Sequence, residues 1–236
     1  MSQIVFIHGP GAGSCSAGFQ YQVQHFPGSL APDLPGHPKG QSLTTVAAYA
    51  EWLRGWLHKK GHKKDLVLSG FTLGACVALQ YALDYTDEVA GLLLMTVAMR
   101  PKERAPGSLE FRLSAAKDET VHEKWLDAMR HTMMFIEPEL REKLIERHRV
   151  VGPISQYNDL VTIDKFDVRD RIGELKTPLT LVRGVDDPGK PAEYELEIHQ
   201  AVPGSKYIKL DNAGHFPMAE RPDDINRAIE ELMAKL

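Results

Sequence analysis

The sequence predicts an α/β protein, with a mostly parallel sheet of about six strands, helices on its faces and a helical insertion. Three observations carry this. Short, continuous apolar runs are each closed by glycine or turn residues. Helical patterns alternate with those runs. One long stretch, 101–176, contains no convincing strand. Continuous apolar runs, as opposed to alternating ones, fit strands covered on both faces. Strand–helix–strand repetition fits parallel pairing through right-handed crossovers.

The elements follow in chain order. Ile4-Val5-Phe6-Ile7 is a short run closed by His8-Gly9-Pro10-Gly11, and so reads as a buried strand. A weaker strand lies near 29–31. Residues 43–60 place Val46, Tyr49, Ala50, Leu53, Trp56 and Leu57 at three-four spacing, which predicts a helix. Leu66-Val67-Leu68 is the next strand, ending at Ser69-Gly70, and a helix follows over 72–85. Leu92-Leu93-Leu94-Met95 and Leu179-Thr180-Leu181-Val182 continue the sheet, and Tyr207-Ile208-Lys209-Leu210 closes it. The last helix, over 223–236, has Pro222 just before it and one apolar face of Ile225, Ala228, Ile229, Leu232 and Leu236. Within 101–176, residues 119–131 and 137–150 look helical, punctuated by Pro106-Gly107 and Gly152-Pro153. A structureless loop of that length does not suit a compact domain. The expected division is therefore a core of 1–100 and 177–236 with a helical insertion of 101–176 over the sheet.

Composition narrows the function classes. The chain has 236 residues, 43% hydrophobic and 25% charged, as a globular protein does. Lys and Arg number 28 against 32 Asp and Glu, a net charge of −4, so no strong field draws nucleic acid. Two cysteines, Cys15 and Cys76, are too few for a disulfide framework. No apolar run approaches the roughly 18 residues of a membrane span. The start MSQIVFIHGPG lacks the marks of a signal peptide, so the expected address is cytoplasmic. Monomer and homodimer both fit this composition.

Three loops carry candidate chemistry. Gly70-Phe71-Thr72-Leu73-Gly74 sits between a strand and a helix, the context of a nucleophile elbow. The flanking glycines allow a sharp turn, the central hydroxyl is lifted into the cleft, and the Leu73 N–H faces a developing oxyanion. Alone, the same pattern is also a tight packing turn. Gly184-Val185-Asp186-Asp187-Pro188 follows a strand and offers a carboxylate that orients a histidine; alone, it is also a turn or a helix cap. Asn212-Ala213-Gly214-His215-Phe216-Pro217 follows the last strand and offers a general base; alone, it is also an exposed loop. Hydroxyl, acid and histidine in this chain order, each just after a strand, form the order of the α/β-hydrolase triad.

On these loops the sequence resembles the α/β-hydrolase superfamily over nearly its whole length. His8-Gly9-Pro10-Gly11, Asp33-Leu34-Pro35-Gly36-His37, the stretch Phe166-Asp167-Val168-Arg169-Asp170-Arg171-Ile172 and Glu220-Arg221-Pro222 add to the likeness. The resemblance implies Thr72 as nucleophile, Asp187 as triad acid and His215 as base. It makes 101–176 a cap over the substrate pocket, and it implies no metal and no cofactor. Two features depart from the family pattern. Threonine stands at an elbow that usually takes positive φ and an unbranched residue. Pro10 stands where the family takes its second oxyanion N–H, and proline has none. Either Gly11 donates after a one-residue shift or the hole is incomplete.

Phe71, Trp125, Met129 and Met133 are expected to line an apolar pocket, although a Trp and Met stripe also suits cap core. Cys76 fits a small buried hydrophobe, His58 and His62 fit a solvated helix end, and Asp33 with His37 fits a structural turn. The expected function is hydrolysis of carboxylic esters or thioesters of a small apolar substrate. The alternatives are a ligand-binding protein that has lost efficient catalysis, and a lyase or cofactor-free oxygenase using His215 as base.

Overall fold

The computed structural model describes residues 2–13, 15–101, 103, 106–189 and 191–236. Five strands form one sheet: β1 (Gln3–Ile7), β2 (Leu66–Phe71), β3 (Val89–Met95), β4 (Leu179–Gly184) and β5 (Lys206–Leu210). They lie in sequence order and every neighbouring pair is parallel. The expected sixth strand near 29–31 is reduced to a single bridge between Leu30 and Val5. Two backbone hydrogen bonds hold that bridge, and the chain then turns away.

The helices are α1 (Cys15–Gly18), α2 (Gln20–His25), α3 (Val46–Lys59), α4 (Leu73–Asp84), α5 (Ser108–Ala115), α6 (Glu119–Arg130), α7 (Pro138–Val151), α8 (Pro153–Asp164), α9 (Glu193–Ala201), α10 (Pro217–Glu220) and α11 (Pro222–Met233). Alternate strand residues feed two cores. Val5, Ile7, Leu66, Leu68, Leu92 and Leu94 pack with α3 and α4 on one face. Ile4, Phe6, Val67, Leu93 and Met95 pack with α11 on the other. Two-sided burial is why the strands read as unbroken apolar runs. Helix α3 buries Val46, Tyr49, Ala50, Leu53 and Leu57, and its N-cap Thr45 accepts from the Ala48 amide at 3.1 Å.

Helices α5 to α8 occupy the stretch between β3 and β4. Periodicity announced α6 and α7 but not α8. The reason is chemical, since α8 buries Gln156, Asp159 and Thr162 beside Ile163, leaving no apolar stripe to read. Asp159 is fully buried and anchors this helix to the core. Its Oδ2 lies 2.6 Å from His37 Nε2, and its Oδ1 accepts from the Tyr49 hydroxyl at 2.9 Å. Burial, followed by the Asp159 charge and hydrogen bond, pushes the Tyr49 hydroxyl well above its ordinary pKa. His37 therefore has an acid partner, but it comes from α8. Asp33 instead accepts the Cys15 amide at 2.7 Å.

Asp159→Ala would remove the acid partner of His37 and the nearer acceptor of both the Tyr49 hydroxyl and the Gly11 amide in a dry interior. The expected loss is about 3–5 kcal/mol of stability, read as a lower urea midpoint. Asp159→Asn, which keeps an acceptor, should lose clearly less. Equal losses from both would show that the pairing carries no such weight.

Candidate active site

The turn between β2 and α4 is tightly constrained. A Cβ on Gly70 would sit 2.3 Å from the Gly74 carbonyl oxygen, and one on Gly74 would sit 2.0 Å from the Ile7 oxygen. Only glycine permits this approach. Between them Thr72 takes φ 46° and ψ −104°, a conformation that strains a β-branched residue. Its N–H donates to the Met95 oxygen at 3.0 Å, locking the turn to β3. The Leu73 N–H opens α4 and finds no acceptor among the described residues. Leu73 itself is fully buried and is not among the residues that line the cavity.

His215 and Asp187 are paired. Nδ1 of His215 lies 2.8 Å from Asp187 Oδ2, and Asp187 Oδ1 accepts the Gly189 amide at 2.8 Å. Burial pushes the Asp187 carboxyl up, but the His215 hydrogen bond and charge, the Gly189 amide and Arg183 together outweigh it. The net shift is below the usual carboxylate value. Asp186 is exposed, and its amide ties back to the Ala213 oxygen at 2.9 Å. The Phe71 ring stands edge-on to the His215 ring, with centroids 5.2 Å apart.

Thr72 and His215 face one cavity of about 320 Å³. No hydrogen bond joins them, because Thr72 Oγ1 is buried and has no partner among the described residues. The oxygen lies 2.6 Å from the point that a Gly9 Cβ would occupy. The hydroxyl thus sits against the loop after β1, in room left by the missing side chain. Apo sites often hold such bonds open until substrate arrives.

The expected second oxyanion donor needs correction. Gly11 N–H donates to Asp159 Oδ2 at 3.0 Å and is buried, so it is committed to the core. Pro10 lines the cavity and offers no N–H. Of the expected pocket residues, Phe71, Trp125 and Met129 do line the cavity. Met133 does not; it is fully buried with Leu126, Ile136 and Leu140. The helix turn that carries it faces the core, so the stripe splits between pocket and packing. Cys76 is buried in α4, as a small hydrophobe would be.

Sequence reasoning missed several polar wall residues, namely His8, His148, Gln156 and Arg112. His8 is neutral and structural. Burial, then the nearby His37, lowers its pKa well below 6.5. Its Nε2 accepts the Leu34 amide at 2.9 Å and its Nδ1 donates to the Gly9 oxygen at 2.7 Å. A lone histidine, glutamine or arginine carries no local spacing signal that it will line a pocket formed by distant segments.

These features define a class: a parallel α/β protein with a nucleophile-elbow turn and an Asp–His pair on two later strand ends. The comparisons agree, because the profile of the Alpha/beta hydrolase family matches residues 4–228. The chain belongs to that family. It is 24% identical over 255 residues to a 2-hydroxy-6-oxo-6-phenylhexa-2,4-dienoate hydrolase of Burkholderia cepacia, covering 98% of this chain and 87% of the relative. Among solved structures, a thermophilic esterase from Thermogutta terrifontis superposes with a TM-score of 0.84 at 24% identity, covering 100% of this chain and 90% of that one. An enol-lactonase from Burkholderia xenovorans LB400 gives 0.80 at 19% identity, covering 99% and 91%. No helix among the described residues is long and apolar enough to cross a membrane.

The His148 environment yields a pH prediction. Burial, then His37 and His122, lowers its pKa from 6.5 to about 3. The unfolded chain takes up a proton near 6.5 and the folded one does not. The contribution to stability is thus complete above that value and is lost as pH falls below it. One unit below, the loss is about 1.4 kcal/mol. Between pH 7.5 and 5.5, His148→Leu should therefore lose less Tm than wild type. An equally steep fall in both proteins would show that His148 is not held neutral.

Proposed function

We propose that this protein hydrolyses carboxylic ester or thioester bonds of small, largely apolar substrates. The observation that carries this reading is the 2.8 Å Asp187–His215 hydrogen bond at the cavity that also holds Thr72. In this reading the Thr72 hydroxyl turns toward His215 when substrate enters and attacks the carbonyl carbon. His215 takes the hydroxyl proton, and Asp187 holds the imidazole in the tautomer that accepts it. Leu73 N–H stabilises the oxyanion of the tetrahedral intermediate. Collapse expels the alcohol or thiol, which leaves with the proton from His215. Water then releases the acid by the same steps. Phe71, Trp125 and Met129 supply the apolar wall, and helices α5 to α8 act as the cap that excludes solvent. With Gly11 committed elsewhere, the hole has one backbone donor fewer than the usual pair. The loss of one such donor typically costs about 10²–10³ in turnover, so slow catalysis is expected.

A second reading has its own support. Several relatives are named as hydrolases of 2-hydroxy-6-oxo dienoates or dienedioates, and Thr72 Oγ1 makes no bond to His215. Here His215 serves as a base on a dienoate substrate, and cleavage falls on a carbon–carbon bond beside a ketone. Parallel assays on nitrophenyl esters and on a 2-hydroxy-6-oxohexa-2,4-dienoate separate the two.

Thr72→Ser removes the methyl that restricts the hydroxyl's rotation. A misplacement of about 1 Å costs on the order of 100-fold, so the serine variant should hydrolyse short nitrophenyl esters at least about tenfold faster. Thr72→Ala should abolish the covalent route and keep the fold by circular dichroism. If alanine matches wild type and serine gives no gain, Thr72 is not the nucleophile.

Asp187→Asn should cost up to about 10⁴ in turnover by favouring the wrong imidazole tautomer. Asp186→Asn should stay near wild type, since that side chain is exposed. The reverse order in kcat would reassign the acid.

A further inference from the structure

His215 lies on a loop between β5 and α10 with no regular secondary structure to hold it. Asn212 within that loop has φ 54°, so the backbone turns sharply just before the base. Asp187 fixes the imidazole, and the Asp186 amide holds the loop through the Ala213 oxygen at 2.9 Å. Neither fixes the amides of the two residues that flank His215.

Glu220 does. Its Oε2 accepts the Gly214 N–H at 2.6 Å and the Phe216 N–H at 3.3 Å, so one oxygen takes the amides flanking the base. The side chain is buried at the end of α10. Its carboxyl is pushed up to about 7 overall, because burial, helped by the Asp187 charge, outweighs the amides of Gly214, Phe135 and Phe216 that favour the carboxylate. Phe135 belongs to the turn between α6 and α7, and Thr132 of that turn lines the cavity. The carboxyl group therefore stands where the base loop meets the wall of the pocket. Two buried amides there need an acceptor, and Glu220 is the group that supplies it.

We propose that Glu220 is a positioning residue: by accepting the amides on both sides of His215, it sets the place from which the imidazole reaches Thr72 and the substrate. Glu220 touches neither partner of the reaction and acts only through the loop. The inference rests on the reading of His215 as the base.

The test compares Glu220→Gln, which keeps a carbonyl acceptor of the same reach, with Glu220→Leu, which keeps none. Ester hydrolysis by the leucine variant should fall in kcat by about 100-fold, the size expected for a displacement of about 1 Å, with KM within about threefold. The glutamine variant should recover to within about tenfold of wild type. A second readout needs no turnover. The downfield proton NMR signal of the His215 Nδ1–H bonded to Asp187 is assigned by its absence in His215→Gln. It should be present in wild type, broadened or lost in Glu220→Leu and restored in Glu220→Gln. A folded leucine variant with wild-type kcat and an unchanged signal overturns the proposal, as does a rise in KM that accounts for the whole loss of kcat/KM. If wild type hydrolyses no ester, the functional reading fails, and the NMR signal still decides the role of Glu220. Should the leucine variant not fold, Glu220→Asp, too short to serve both amides, takes its place with the same expected loss.

Discussion

The close approach of α4 to the end of β1 is the constraint on which the rest of the site depends. Gly74 lies so near the Ile7 carbonyl that any side chain there would collide with the backbone. That contact forces the chain to leave β2 and enter α4 within one residue, and Thr72 is that residue. Its positive φ, the open Leu73 amide and the position of its hydroxyl beside Gly9 all follow from the same crossing. A strained residue persists where its surroundings over-determine it, and here β1, β2, β3 and α4 all do so.

A second layer of order is polar and buried. Asp159 reaches from α8 to His37, Tyr49 and the Gly11 amide, so a buried carboxylate ties this helix to the core beside the packing of Ile163. This explains two features at once. Helix α8 needs no apolar stripe, because hydrogen bonds secure its inner face. The loop after β1 gives its Gly11 amide to structure, shared between Asp159 and His37. Glu220 does for the His215 loop what Asp159 does for the Gly11 loop, holding irregular backbone with a buried carboxyl group. In both places loop geometry is fixed by a side chain from a distant or later segment, where no ladder of strand hydrogen bonds is available.

Much of the fold was legible because its signals are local. Strands buried on both faces show as unbroken apolar runs, and α3 and α11 show as stripes at helical spacing. The Gly-x-Thr-x-Gly elbow, the Asp187 turn and the Gly214-His215 loop were legible because each sits just past a strand end, in an order that the sheet then gathers at one edge. The strand near 29–31 was overstated, since a parallel edge strand needs a partner along its length and only Leu30 finds one. Met133 was misplaced because helical spacing alone cannot say which side of a stripe meets the cavity.

Local chemistry in the chain therefore decided the α/β class, the order of the elements and the residue types at the three loops. Tertiary structure decided the rest: Gly11 is spent on Asp159 and His37, Thr72 Oγ1 lies toward Gly9, and Glu220 accepts the amides of Gly214 and Phe216 around His215. The physical reason is separation along the chain. Periodicity and turn propensity act over a few residues. The acceptors of the Gly11 amide lie 148 and 26 residues away, and the carboxylate partner of His215 lies 28 away. Such pairings are set only when packing brings the segments together and leaves each buried donor an acceptor within reach.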